Sequence, residues 1–261
     1  MRRTVWASVA SAFLAATWGV AAIALGAEPA VRVVCYNVKK GRPAKAIAAD
    51  LAGLGADIIA LQEVDSGTQR SGGEDQPSLL KRALKMNGHY APSYDVDGGT
   101  TGMMILSRFP MSEPTAIQLE NSRDIGAAAT LSIQNTPVRV LSVHLSATYR
   151  ISAEHYEESR EARGREATRI MQSIEKRRGP VIIAGDLNTT QGSKPYETFS
   201  SALTDCAAKL SPHPAATYPA ALPTLRLDHV FVSDQFVPVK AATRKGGSDH
   251  LLLIVDLRLK D

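Results

Sequence analysis

The stretch Val31–Glu63, VRVVCYNVKKGRPAKAIAADLAGLGADIIALQE, decides how the rest of the chain is read. It opens on a β-branched run, Val31 to Tyr36, and closes on a second apolar run, Ala56 to Leu61, each of the length and composition of a buried strand. Between them Arg42 to Gly55 carries alanine-rich helical spacing that Gly53 and Gly55 terminate. A β-α-β opening results. Each strand ends on polar side chains, Asn37 after the first and Gln62-Glu63 after the second, where the backbone can hold a group at the edge of a layer rather than inside it.

The pattern continues in both idioms. Helical spacing returns at Ser78 to Met86, with Leu79, Leu80, Ala83 and Leu84 on one face. Strands are predicted at Tyr90 to Tyr94, Gly102 to Leu106, Thr115 to Leu119, Ile125 to Ile133 and Val138 to Leu145, separated by turn residues such as Asp97-Gly98-Gly99 and Asn135-Thr136-Pro137. Ser152 to Arg178 reads as one long exposed helix of alternating charge, with Ile170 and Ile174 inward and Gly179-Pro180 as its stop. Val181 to Ala184 is a buried strand, Pro195 to Phe199 a short helix, and Leu227 to Val232, Phe236 to Val239 and Leu251 to Leu257 the closing strands. Helices interleaved with short strands in both halves predict an α/β protein: a four-layer α/β/β/α sandwich of two packed mixed sheets flanked by helices.

Composition narrows the partners. With 261 residues, 44% hydrophobic and 21% charged, the chain is neither disordered nor fibrous. Lys and Arg number 30 against 26 Asp and Glu, but Arg2 and Arg3 precede the predicted domain, and without them the excess halves. So small an excess, with aromatics at 5%, excludes a strongly basic stacking surface. The two cysteines, Cys35 and Cys206, form no disulfide framework and match no metal spacing, so stability must come from an apolar core.

The first residues, MRRTVWASVASAFLAATWGVAAIALGAEPA, have a basic start, an uncharged run from Val5 to Leu25 and small residues at Ala24 to Ala27. This is the layout of a secretory signal peptide over residues 1–26, leaving a mature domain at 27–261 that begins near Ala27. A retained signal anchor is the rival, since a run of about 20 uncharged residues also spans a bilayer. Either way the body faces outward, extracytoplasmic and released or membrane-anchored.

Six polar clusters each sit at the end of an apolar strand: Asn37, Gln62-Glu63, His144, Gly185-Asp186-Leu187-Asn188, Asp228-His229 and Ser248-Asp249-His250. Singly, each is explained as a turn former, a helix cap or a packed histidine. As a set, carboxylates, amides and histidines delivered from strand ends form a hard-oxygen metal pocket with a general base beside it. Carboxylate and amide oxygens without a cysteine cluster select Mg²⁺ or Mn²⁺ over zinc.

The order N…LQE…G-x-x-I-L-S-R-x-P…VHL…GDLN…RLDHVF…SDH resembles the endonuclease/exonuclease/phosphatase superfamily over Val31 to Leu257, with GMMILSRFP (102–110) and ATYPAALPTLRLDHVF (216–231) similar to its other signatures. The resemblance implies an exported Mg²⁺-dependent hydrolase of phosphate esters, a phosphodiesterase, nuclease or lipid-headgroup phosphoesterase. It implies Glu63 as principal metal ligand, with Asn37 nearby and Asp249 reaching the shell through water. Asp186 and Asn188 would orient the attacking water, Asp228 would orient His250 as base or phosphate contact, and His144 would bond the phosphate or leaving oxygen. Arg70 and Arg123 are loop cations able to meet phosphate. Ser146 stands where many relatives carry Asp, which leaves the subfamily open. The substrate would be nucleic acid or a phospholipid headgroup, with no obligate protein partner and membrane contact only if the first segment is retained. No exposed apolar hairpin for a bilayer stands out in the sequence. The alternative is a catalytically silent phosphate-binding module of the same fold; the complete acid–base set favours the enzyme.

Overall fold

The computed structural model describes residues 31–118, 124–148, 152–175 and 179–260. The predicted signal segment and Arg123 lie outside the described residues. The elements in chain order are β1 (Val31–Asn37), α1 (Ala44–Leu51), β2 (Ile58–Ser66), α2 (Gln76–Leu84), β3 (Asn87–Val96), β4 (Gly99–Ser107), β5 (Met111–Gln118), β6 (Asp124–Ile133) and β7 (Thr136–His144). Then come α3 (Ala153–Glu175), β8 (Val181–Asp186), α4 (Lys194–Ser200), β9 (Thr204–Asp205), α5 (Cys206–Leu210), β10 (Asp228–Val232), β11 (Phe236–Arg244) and β12 (Leu252–Leu259).

The strands form two six-stranded sheets, ordered β11-β12-β1-β2-β4-β3 and β5-β6-β7-β8-β10-β9. Each is built around one parallel pair, β1 with β2 and β7 with β8, joined by the crossover helices α1 and α3, while the other neighbours run antiparallel. A parallel pair needs such a crossover because a short turn cannot return the chain to the same end. β12 runs antiparallel to β1, with Val31 opposite Leu257.

Alternation along the strands divides the apolar side chains into three layers. Between the sheets, Val33, Cys35, Ile58, Ala60 and Ile105 of the first pack against Ala127, Ala129, Val140, Ile182, Ala184 and Val230 of the second. Ile47 and Leu51 of α1 and Leu80 of α2 cover the outer face of the first sheet. Ala167, Ile170 and Ile174 of α3, with Tyr196 and Phe199 of α4, cover the second. At about 1.5–3 kcal/mol for each large apolar side chain buried, these layers supply the stability that the two unpaired, buried cysteines do not. The result is the four-layer α/β/β/α arrangement.

Local chemistry sets the helix starts. The Asp75 side chain accepts from Ser78 N at α2, Ser193 from Tyr196 N at α4, and Asp205 from Ala207 N and Ala208 N at α5. Three features differ from the sequence reading. β11 extends to Arg244 because it pairs with β12 along its whole length. β9 and α5 were not predicted. α3 is not simply an exposed charged helix, because Arg163 and Glu166 are buried. Glu166 accepts from Ser146 N and Oγ, both at 2.7 Å, and Arg163 donates to Ser146 O at 3.0 Å and Thr148 Oγ1 at 3.2 Å. Two charges of α3 thus clamp the loop that follows His144. No helix among the described residues is long and apolar enough to cross a membrane.

Candidate active site

Strand register brings the strand-end residues into one row. Across the second sheet His144 of β7 is opposite Asp186 of β8, and Asp186 is opposite Asp228 of β10. Side chains in register on adjacent strands share a face, and this row lies on the inter-sheet face, one step beyond Ala184 and Val230. In the first sheet Asn37 of β1 is opposite Gln62 of β2. The open edge of the central apolar layer is therefore closed by polar groups from both sheets. Gly185 permits the close approach of β8 to β7, since a Cβ there would lie 2.1 Å from the Val143 carbonyl oxygen.

Asp186 is the centre of this edge. Its Oδ1 accepts from Asn188 N at 2.9 Å, and its Oδ2 accepts from Asn37 Nδ2 at 3.0 Å. The same Oδ2 lies 3.6 Å from both His144 Nε2 and His250 Nε2. His250 Nδ1 is bonded to Asp228 Oδ2 at 2.8 Å, which fixes the ring's direction and leaves Nε2 facing Asp186. Asn188 Nδ2 donates to Leu145 O at 3.0 Å, and that contact orients the amide so that the same nitrogen faces His144 Nε2 at 3.1 Å.

The electrostatics follow from burial. Burial, and then the charge of Asp228, push the Asp186 carboxyl above the usual carboxylate range, and His144, His250 and Asn37 offset this only in part. Burial works against charging His250, but Asp228, Asp186 and Asp249 outweigh it and raise the ring to about 9. The carboxylates around the ring thus favour its charged form.

Glu63 is delivered by an irregularity. The register of β2 on β4 shifts between Leu61 and Val64, and Glu63 has a left-handed φ of 62°. Such a bulge re-aims a side chain at a strained backbone position; Asn188, with φ of 47°, is held similarly. Glu63 Oε2 accepts from Lys40 N at 3.0 Å, its Oε1 lies 3.6 Å from Lys40 Nζ, and Glu63 shares a small cavity with His144 and Tyr94. Asn37 Oδ1 accepts from Lys39 N at 3.0 Å, and Asp249 at the rim pairs with Lys39 Nζ at 3.7 Å. Of the three predicted metal-side residues, Glu63 and Asp249 are therefore held by local contacts with Lys40 and Lys39, whereas Asn37 joins His144, Asp186, Asn188, Asp228 and His250 in one connected group. Arg70 directs its guanidinium at the buried Asp65, with contacts of 3.0 and 2.8 Å.

Sequence reasoning missed several supports. Ser248 donates to Asn37 O at 2.7 Å and accepts from His250 N at 3.2 Å, tying the Ser-Asp-His segment to β1. Asp50 accepts from Tyr36 OH at 2.7 Å and from Gly247 N at 2.9 Å, anchoring the same segment from α1. The Tyr218 ring lies 4.8 Å from that of His250. Ser248 and Tyr218 stand inside motifs quoted above but carried no role of their own there, and Asp50 carries no motif signal.

The donor set fits a divalent cation. Asp186, Asp228 and His250 offer ligand atoms within 4.8 Å of one another, and the buried Asp228 Oδ1 has no hydrogen-bond partner. An orphaned buried carboxylate oxygen beside a second buried carboxylate is what an added cation would satisfy.

The model of the endonuclease/exonuclease/phosphatase family matches residues 34–250. No curated protein matches the sequence. Among solved structures, an endonuclease/exonuclease/phosphatase from Bacteroides vulgatus is similar with a TM-score of 0.72 at 17% identity, covering 89% of this chain and 100% of that one. The human Nocturnin catalytic domain, with bound sulfate, has a TM-score of 0.67 at 22% identity, covering 89% and 95%. A 3′ phosphatase from Neisseria, bound to a product DNA hairpin, has a TM-score of 0.67 at 16% identity, covering 87% and 99%. The likeness to these structures is one of fold.

Proposed function

The chain belongs to the endonuclease/exonuclease/phosphatase family, whose members are metal-dependent hydrolases of phosphate esters, and we propose that it is an exported phosphodiesterase working with Mg²⁺ or Mn²⁺. The observation that carries this reading is the convergence on Asp186 Oδ2 of Asn37, His144 and His250, with Asp228 behind His250. Export is supported by the basic start and uncharged run of residues 1–26.

Asp186 and Asp228 from the second sheet and Glu63 from the first would hold the cation, with Asn37 and Asp249 at its margin. Bound there, Mg²⁺ or Mn²⁺ supplies neutralisation of charge on a phosphoryl oxygen. The remaining work belongs to the side chains. Asp186 and Asn188 orient the attacking water. His250 contacts the phosphate and exchanges a proton through Nε2, while Asp228 holds the ring and stabilises its charged form. His144, positioned by Asn188, bonds the phosphate or leaving oxygen from the opposite side of Asp186.

The test is a panel of duplex DNA, RNA, phospholipids and a chromogenic diester with purified protein and Mg²⁺. Hydrolysis of at least one ester, abolished by EDTA and restored by Mg²⁺ or Mn²⁺, is expected. Glu63→Gln removes a negative charge from the cation's surroundings, so the Mg²⁺ concentration for half activity should rise by about tenfold or more, with rate returning at high metal. Full activity in EDTA, or an unchanged metal dependence in Glu63→Gln, would overturn the assignment.

A further inference from the structure

Beside the catalytic edge the chain from Thr217 to Leu225 makes a tight loop. Tyr218 N donates to Leu225 O at 2.9 Å, Leu225 N returns to Tyr218 O at 2.8 Å, and Leu222 N donates to Pro219 O at 3.1 Å. The loop is fastened to the segment that carries Asp249 and His250. Ala220 N donates to Asp249 O at 2.6 Å, Leu251 N donates to Thr217 O at 2.8 Å, and Tyr218 packs on the His250 ring.

The tip, Ala221-Leu222-Pro223-Thr224-Leu225, is exposed throughout and carries no charge. Leu222 is 73% exposed and Leu225 43%, and Leu222 is the most exposed of the large hydrophobic side chains among the described residues. Because the loop's own hydrogen bonds fix its shape, the leucines stand in water by construction. At the base of the loop is a recess of about 300 Å³ lined by Lys39, Pro219, Ala220, Lys245 and Asp249. Lys39 faces Asp249 at 3.7 Å, and Arg244 and Lys245 are exposed.

We propose that this loop docks the catalytic edge on a bilayer containing anionic phospholipid. Leu222 and Leu225 enter the boundary of the acyl chains, Lys39 and Lys245 meet headgroup phosphates, and the esters that reach the site are those of phospholipids at the membrane surface. The choice of substrate rests on the phosphoesterase reading. Apolar tips beside basic side chains are what an interfacial surface requires, since the tips gain by leaving water and the cations gain from the negative surface potential. A nucleic-acid strand fits less well, because leucine offers no π-face for a base and the tip has no cation for a phosphate backbone. The sequence offered PAALPTL (219–225) only as part of the signature-like stretch 216–231, and its apolar exposure is seen in the fold.

The experiment uses the full chain with a polarity-sensitive dye on Leu222→Cys. The native Cys35 and Cys206 are buried, so the introduced thiol is labelled selectively. A second labelled protein, Glu175→Cys, reports from the end of α3, at the pole where β8 begins rather than where it ends at Asp186. Vesicles of phosphatidylcholine with 30% phosphatidylglycerol (about one anionic lipid in three) are compared with pure phosphatidylcholine, at matched melting temperatures.

The expected result is a blue shift at position 222 on the anionic vesicles and none at 175. Lys245→Glu should raise the lipid concentration for half-saturation by about fivefold or more, and Leu225→Asp by about tenfold or more. No shift at 222, an equal shift at both positions, or an equal shift on both vesicle types would overturn the docking surface. Hydrolysis of the soluble diester is followed in parallel. Hydrolysis without a shift at 222 overturns docking alone, whereas a shift at 222 with no ester hydrolysed overturns the phosphoesterase reading and leaves the docking surface standing.

Discussion

Asp228 and His229 are neighbours on β10, and they look into opposite sides of the second sheet. His229 faces the helices. There its Nδ1 lies 3.2 Å from Asp205 Oδ2, which also accepts from Arg226 at 2.7 Å and Tyr196 OH at 3.1 Å, while His229 Nε2 reaches Thr189 O at 3.2 Å. Burial works to raise the Asp205 carboxyl, but His229 and Arg226 overcome it and hold the group far below the usual carboxylate range. Asp228 faces the central layer, where burial and its own charge hold Asp186 above that range. The helix-side cluster contains a permanently charged guanidinium; the contacts described for Asp186 and Asp228 are with imidazoles and amides. One carboxylate cluster is complete within the chain, and the other is short of positive charge. On the proposed function the first is a structural joint and the second a place for an added cation and a phosphate.

The contrast breaks most easily at Asp186. Asp186→Asn keeps the shape but cannot orient or deprotonate water, and it also removes a charge from the proposed cation, so turnover should fall on the order of 10² to 10⁴ and high metal should restore only a part of it. Its melting temperature should stay level or rise. A carboxyl whose folded pKa lies above its unfolded value costs stability once pH exceeds the unfolded value, and Asn removes that cost. Activity and melting temperature falling together would erase the distinction between the two clusters.

Asp205→Asn should do the reverse. It leaves Arg226 buried beside an unmatched amide, with an expected loss of about 3–5 kcal/mol in denaturant unfolding and turnover per folded molecule within a few-fold of wild type. A small stability loss with a large activity loss would move Asp205 into the catalytic group.

The smallest effect is in the acid limb. The folded pKa of Asp205 is depressed, so its contribution is fully present above the unfolded carboxylate value near about 4 and is lost as pH falls toward the folded value. Asp186 contributes with the opposite sign. Wild type should therefore lose stability on acidification more steeply than Asp205→Asn, and parallel melting curves below pH ~4 would refute the assignment.

The sequence made the layers legible because apolar runs such as VRVVCY and VIIAG have little choice but burial. It also placed the polar strand ends, and register then assembled them: His144, Asp186 and Asp228 become one row because β7, β8 and β10 are adjacent. What stayed hidden depended on contacts across the chain. Arg226 and Asp205 are 21 residues apart and meet only when β9 pairs with β10. Arg163 and Glu166 belong to a helix whose alternating charges read as solvated until Ser146 is brought beneath them. The bulge at Glu63 is invisible in LQEV, since nothing in the residue types announces a left-handed glutamate.

The antiparallel pairing of β1 with β12 fixes how the molecule is presented. Val31 lies beside Leu257 at one end, while Asn37 and His250 lie at the other. β1 therefore enters from, and β12 returns to, a common pole about 20 Å from the edge that holds Asp186, at the rise of an extended strand. A linkage made at Val31 or at Leu259 leaves from the back of the sandwich. Held at either of these positions, the protein would turn the edge that carries Asp186 outward toward the solution.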